Sequence, residues 1–84
     1  MIYVYAIQSL KDGRIYVGQT SNVTNRLAQH NKGLTFSTKP YTPWKLFYTE
    51  TFNDRASARA KEKYLKSGIG KSYLKSLLQT GSNN

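Results

Sequence analysis

Two tyrosine triplets stand near the start of the chain, Tyr3-Val4-Tyr5 and Tyr16-Val17-Gly18. Arg26 and His30 follow, four apart, a spacing that stacks two side chains on one helix face. Farther on, Glu62 is the one acid between Arg55 and Lys75, among seven Lys or Arg. Phenols, a guanidinium, an imidazole and a lone carboxylate on a basic chain are groups that could hydrolyse a phosphodiester. Arg26 could place its fork on a phosphate and offset transition-state charge. Its ordinary reading is a solvated helix arginine. His30, the only histidine, could be a general base or a phosphate contact. Its ordinary reading is a contact at a helix end. Tyr5 and Tyr16 are either core residues with exposed hydroxyls or phenols whose pKa nearby cations lower enough to help deprotonate water. Glu62 is either a salt bridge to Lys66 at i+4 or an oxygen ligand for Mg²⁺, with substrate phosphate completing the shell. Gly18 interrupts a strand pattern, as glycine does where a backbone or ligand approaches closely.

These side chains must be held by a small set of elements. Residues 2–9 read as a strand with both faces apolar, hence central or covered on both sides. Lys11 to Arg14 is a turn around Asp12-Gly13, and residues 14–19 are the returning strand. With an even loop, Tyr3, Tyr5 and Ile7 share a face with Tyr16 and Gly18. Ser21 or Asn22 caps a helix running to about residue 30, with Val23 and Leu27 as its apolar stripe. Residues 31–43 read as a polar loop, a mobile contact segment carrying Lys32, Gly33 and Lys39. Residues 44–52 are a third strand, with Trp44, Leu46 and Tyr48 pointing one way and Phe47 the other. Asn53 or Asp54 caps a helix over 55–67. Gly68 and Gly70 break the chain, and a last helix over 71–79 uses Tyr73, Leu74, Leu77 and Leu78 as its apolar face. The order is β-β-α-β-α-α. This is an α+β fold, a small three-stranded antiparallel sheet flanked by helices. Residues 1–80 are expected to form a single domain and 81–84 a frayed tail.

Composition narrows the class of partner. The 84 residues carry thirteen Lys or Arg against four Asp or Glu, a net charge of +9, and no cysteine. Such a charge on so small a domain points to a polyanion, nucleic acid first. Without cysteine there are no disulfides and no thiolate metal sites. No signal peptide and no apolar run long enough to span a membrane is evident, so a cytoplasmic protein is expected.

Together these residues resemble the GIY-YIG nuclease family, and among its members the small ones related to the nuclease domain of the excinuclease C subunit. Tyr3-Val4-Tyr5 and Tyr16-Val17-Gly18 stand as its two signatures. Gly18-Gln19-Thr20, Arg26-Leu27 with His30, Pro43-Trp44 and Ala58 through Glu62-Lys63 to Leu65-Lys66 supply the matching context. The resemblance implies metal-dependent hydrolysis of DNA phosphodiesters, in DNA repair or processing. It implies Tyr5 and Tyr16 as the motif tyrosines, one of them the general base or water-positioning group. Arg26 would be the phosphate clamp, His30 would take a position where the family has His or Tyr, and Glu62 would be the ligand of a single Mg²⁺ or Mn²⁺. No small-molecule cofactor is implied.

Three residues depart from the family pattern. Tyr3 replaces a glycine, Gln19 stands where some relatives carry lysine, and Leu74 stands where several carry a supporting asparagine. Gly18, Gln19, Lys39, Arg55, Arg59, Lys63 and Lys71 are candidate DNA contacts, which position a backbone without reading its sequence. Low sequence specificity is expected, with selectivity for DNA structure or single strands, unless a partner protein or a homodimer supplies more. The competing reading is a non-catalytic nucleic-acid-binding module descended from a nuclease.

Overall fold

A computed structural model of the chain describes residues 1–82, with side chains through Gln79. β1 (Ile2–Ser9), β2 (Ile15–Thr20) and β3 (Trp44–Phe52) form one antiparallel sheet in the order β2-β1-β3. α1 (Val23–Asn31) connects β2 to β3, and α2 (Arg55–Lys66) and α3 (Gly68–Ser82) follow. The β-β-α-β-α-α order and three-stranded antiparallel sheet are those the sequence predicts.

β1 is central because its sequence is apolar on both faces. Val4, Tyr5, Ala6 and Ile7 are each at most 2% exposed. Val4, Ala6 and Val17 face α2 and α3, where they pack on Ala58, Leu65 and Leu74. Tyr5, Ile7 and Trp44 face α1 and the segment after it, packing with Tyr16, Leu27, Tyr41 and Leu46. Gly13 supplies the positive φ (84°) of the β1–β2 turn. The turn is closed by Ser9 N–H donating to Arg14 O at 2.9 Å and Gly13 N–H to Ser9 O at 2.9 Å. Asn22 caps α1 by accepting from Asn25 N–H, and Asp54 caps α2 by accepting from Ser57 N–H.

Four expectations are corrected. First, Tyr48 does not share a face with Trp44 and Leu46. The register passes from Ala6↔Tyr48 to Ile7↔Leu46. Phe47 is therefore the extra residue of a β-bulge, and Phe47 and Tyr48 both pack toward α2 and α3.

Second, Gly68 and Gly70 begin α3 instead of breaking the chain. Ser67 alone separates the helices, its hydroxyl donating to Tyr64 O at 2.6 Å and accepting from Gly70 N–H at 3.2 Å. A Cβ on Gly70 would overlap the Tyr64 carbonyl and lie 2.5 Å from Leu65 Cα, so this glycine permits close helix contact.

Third, the segment 31–43 is tied down. Gly33 (φ 75°) ends α1 in a Schellman motif, with Gly33 N–H donating to His30 O and Leu34 N–H to Gln29 O. The Asn31 side chain bonds both backbone groups of Trp44, at 2.6 and 3.2 Å. Trp44 Nε1–H donates to Thr38 O at 3.0 Å, and Ser9 Oγ–H to Tyr41 O at 2.6 Å.

Fourth, Gly81 and Ser82, expected in the tail, continue α3. Residues 83–84 lie outside the described residues. Among the described residues no helix is long and apolar enough to cross a membrane.

Candidate active site

The site grows from the β1–β2 register. Tyr5 lies opposite Gly18 and Ile7 opposite Tyr16, so the two tyrosines are diagonal neighbours on one face, ring centroids 6.4 Å apart. Gly18 leaves the space that the Tyr5 ring occupies. A Cβ there would meet Tyr5 Oη at 2.7 Å and Tyr16 Cε2 at 3.2 Å. α1 brings Arg26 to the same place from one side of the sheet. α2 brings Arg59, Glu62 and Lys63 from the other, around the edge strand β2. With Tyr5, Tyr16, Gly18 and Gln19 they line a cleft of about 510 Å³.

His30 does not line this cleft. It lies behind Tyr5, fully buried, and forms the middle of a hydrogen-bonded chain. Tyr5 Oη lies 2.8 Å from His30 Nε2, and His30 Nδ1 lies 2.8 Å from Thr38 Oγ1. The Thr38 hydroxyl also reaches Thr35 O, at 3.4 Å, which is compatible with its accepting from Nδ1–H. In that Nδ1 tautomer, Nε2 accepts from the Tyr5 hydroxyl. Burial, and secondarily the Arg26 charge, push the His30 imidazole down to about 4. Burial pushes the Tyr5 phenol up to about 12, with the Arg26 guanidinium opposing only in part. The expectation that cations depress the motif phenol is therefore overturned for Tyr5, because desolvation outweighs the guanidinium. At neutral pH both members of the pair are uncharged. Tyr16 packs its ring against His30 at 5.1 Å and Trp44 at 6.3 Å, bracing the pair.

Glu62 is set up the opposite way. Burial pushes its carboxyl up. The Lys66 and Gln19 hydrogen bonds and the Lys66 and Arg59 charges outweigh that, holding it below the usual carboxylate range. Gln19 Nε2–H donates to Glu62 Oε1 at 2.9 Å, and Lys66 Nζ lies 2.9 Å from Oε2. The i+4 salt bridge and the cleft position thus occur together. The Lys66 side chain is 51% exposed, and such pairs contribute only about 0–1 kcal/mol, so a competing cation displaces it readily.

Among the described residues no cluster of three or more His, Asp or Glu is arranged to hold a metal ion. A divalent ion that needs an all-protein cage therefore does not fit. One that keeps most of its waters and binds through a single ionised carboxylate does.

The other expected residues divide. Gln19 bonds the carboxylate as well as lining the cleft. Arg55 reaches the rim, its Nη1 donating to Gln19 Oε1 at 3.5 Å. Lys39 is away from the cleft, its stem beside Gly33. Lys71 lines a different cavity. Leu74 is fully buried in the core beneath α2. Thr38 and Lys66 were missed as site residues. The i+4 spacing signalled Lys66, but nothing local marks a loop threonine as the partner of a helix histidine.

Known proteins resemble this chain in sequence and in fold. The GIY-YIG catalytic domain family matches residues 1–74. A UPF0213 protein of Clostridium perfringens is 37% identical over 67 residues, covering 79% of this chain and 71% of its own. One from Natronomonas pharaonis is 38% identical over 66 residues, covering 77% and 76%. The solution NMR structure of a UPF0213 protein from Bacillus halodurans superposes with TM-score 0.54 at 33% identity. It covers 92% of this chain and 85% of that one.

Proposed function

Because the chain belongs to the GIY-YIG catalytic domain family, a nuclease family, we propose that it is a metal-dependent endonuclease that hydrolyses DNA phosphodiesters with low sequence specificity. The observation that carries this reading is the meeting of Tyr5, Arg26 and Glu62, from three different elements, at one basic cleft.

The Tyr5 hydroxyl gives its proton to His30 Nε2 in a hydrogen bond, so the lone pair not engaged by the Arg26 guanidinium can accept from a water in the cleft. As that water attacks the phosphorus, its proton passes to Tyr5 while the Tyr5 proton moves to His30. A phenol held this far up does not act as a free phenolate, and the paired transfer removes the need for one. Arg26 sets its guanidinium against the non-bridging oxygens, where negative charge builds. The bond to the leaving oxygen breaks, that oxygen takes a proton from solvent, and His30 returns its extra proton through Tyr5 to solvent to restore the neutral pair. Glu62 would hold one Mg²⁺ or Mn²⁺. When bound, such an ion supplies Lewis-acid stabilisation of charge on the phosphate oxygens. Arg59 and Lys63 on the cleft wall position the backbone without reading bases, which underlies the low specificity.

The test is cleavage of single-stranded, duplex and branched DNA with Mg²⁺ or Mn²⁺ by the wild type, Glu62→Gln and Arg26→Ala. Glu62→Gln is expected to abolish cleavage while DNA binding in EDTA persists. Arg26→Ala is expected to lower kcat by about 10²–10³. Salt-sensitive binding by a wild type that cleaves none of these substrates would overturn the proposal in favour of a binding module.

A further inference from the structure

Lys71, expected at the same surface as the other DNA contacts, lies elsewhere. With Lys75, one turn on along α3, it lines a second cavity of about 530 Å³, closed on the other side by Asp12, Gly13, Arg14 and Ile15 of the β1–β2 turn. The one acid there is already engaged. Asp12 holds Arg14 through a 2.7 Å ion pair, and the Arg14 guanidinium carbon lies over the Tyr41 ring, 3.5 Å from its centroid. Among the described residues neither Lys71 nor Lys75 forms an ion pair. Two unpaired ammonium groups at i and i+4 thus face a concavity large enough for a phosphate group.

This cavity and the catalytic cleft share a strand. Ile15 begins β2 and lines the second cavity, while Tyr16, Gly18 and Gln19 of β2 line the first. At about 3.3 Å per residue, Ile15 and Gly18 are roughly 10 Å apart along β2. That separation is short enough for one bound strand to reach both cavities.

We propose that Lys71 and Lys75 form a second phosphate site for the strand being cut, gripping its backbone to one side of the scissile phosphate. The assignment rests on the nuclease reading only in calling that phosphate scissile, since the binding it describes needs no chemistry. The site makes the footprint one-sided. Extension of an oligonucleotide past β2 toward the β1–β2 turn strengthens binding, and extension the other way does not reach it.

The experiment measures binding of fluorescent single-stranded oligonucleotides of graded length, in EDTA, as a function of salt. It compares wild type, Lys71→Gln/Lys75→Gln and a control of equal charge loss elsewhere, Lys32→Gln/Lys45→Gln. The slope of log K against log salt is expected to fall by about 1.4 in Lys71→Gln/Lys75→Gln, at about 0.7 per lost single-strand contact. That loss should appear only with oligonucleotides long enough to span both cavities. In cleavage assays KM rises for long substrates while kcat is unchanged. An equal loss in the control, or with an oligonucleotide that fills only the cleft, overturns the proposal. If the double variant fails to fold, each single variant is expected to remove half the slope change, and no change in either overturns the proposal equally. Loss of length-dependent binding in a protein that cleaves nothing would remove the nuclease reading and keep this site. Cleavage with an unaltered slope would do the reverse.

Discussion

Gly18→Ala isolates the contact on which the site geometry depends. Among the described residues only Gly13 and Gly33 have positive φ, so alanine at position 18 meets no backbone strain. Its one demand is room for a methyl group. That methyl would lie 2.7 Å from Tyr5 Oη and 2.9 Å from Cζ, where ordinary contact begins at 3.4 Å, so the phenol must retreat by about 0.7 Å. It has nowhere easy to go. Tyr5 is 2% exposed, its hydroxyl is held at 2.8 Å by His30, and His30 is itself buried and bonded to Thr38. Overpacking of this kind costs about 1–3 kcal/mol. At about 2 kcal/mol the Tm of a domain this size falls by about 8–16 °C.

The effect on rate should be larger than on stability. A misplacement approaching 1 Å of a group that orients the nucleophile costs about 10²-fold. Thermal melting and single-turnover cleavage of Gly18→Ala read the two effects separately. A variant that melts within about 2 °C of wild type and cleaves within about threefold would refute the reasoning, since the methyl would then have been accommodated without moving Tyr5. Lower stability with an unchanged rate would leave Gly18 a packing residue and detach Tyr5 from the chemistry.

Other perturbations test the surroundings. His30 has a folded pKa of about 4 against an ordinary 6.5. The unfolded chain therefore binds the extra proton first, and this contribution is full above about 6.5 and lost as pH falls toward 4. With His30 the only histidine, the wild-type Tm should fall between pH 6.5 and 5, where ordinary carboxylates stay ionised. His30→Gln should melt lower at pH 7.5 but show a flat profile over that window, and a parallel decline in both proteins would assign the effect elsewhere. Gly70→Ala drives a methyl into the backbone of Tyr64 and Leu65, atoms that cannot rotate aside. It should cost about 3 kcal/mol, a Tm loss of about 12–24 °C by thermal denaturation, and a melt near that of wild type would show that α2 and α3 can separate freely.

What was legible in the sequence was whatever local pattern determines. The apolar faces of β1 placed it at the centre, Asp12-Gly13 marked the turn, and Asn22 and Asp54 marked two helix starts. That Tyr5 and Gly18 share a face followed from strand parity with an even loop, while their direct pairing came from the register. The misreadings arose where a tertiary contact decided the outcome. Phe47 looks like any strand residue, and only the partner strand makes it a bulge. Gly70 looks like a breaker because sequence records the missing side chain and not the neighbouring helix that requires its absence. Segment 31–43 is polar and rich in Thr, yet its polar groups are spent inward, on Trp44, His30 and Ser9. The site residues were legible as types. Their protonation was not, because burial decides it for Tyr5.

That protonation pattern bears on how the halves of the cleft divide the work. On the α1 side, burial keeps Tyr5 and His30 neutral and joined by one shared hydrogen bond. On the α2 side, Lys66, Gln19 and Arg59 keep Glu62 ionised. On the proposed mechanism, two sets of titratable groups pushed in opposite directions would separate proton transfer from charge stabilisation within one site. On that same mechanism, a phosphate entering between them would bring negative charge toward His30 and raise its affinity for the proton that Tyr5 passes on. Substrate would thus oppose the Arg26 charge that helps hold His30 low in the free protein. Arg26 would then serve both states, disfavouring a charged His30 before binding and turning to the phosphate once it arrives. On this argument Arg26→Ala damages the transition state directly and also raises the His30 pKa of the free protein. An imidazole NMR titration reads the second effect without any cleavage, and an unmoved titration would confine Arg26 to the phosphate alone.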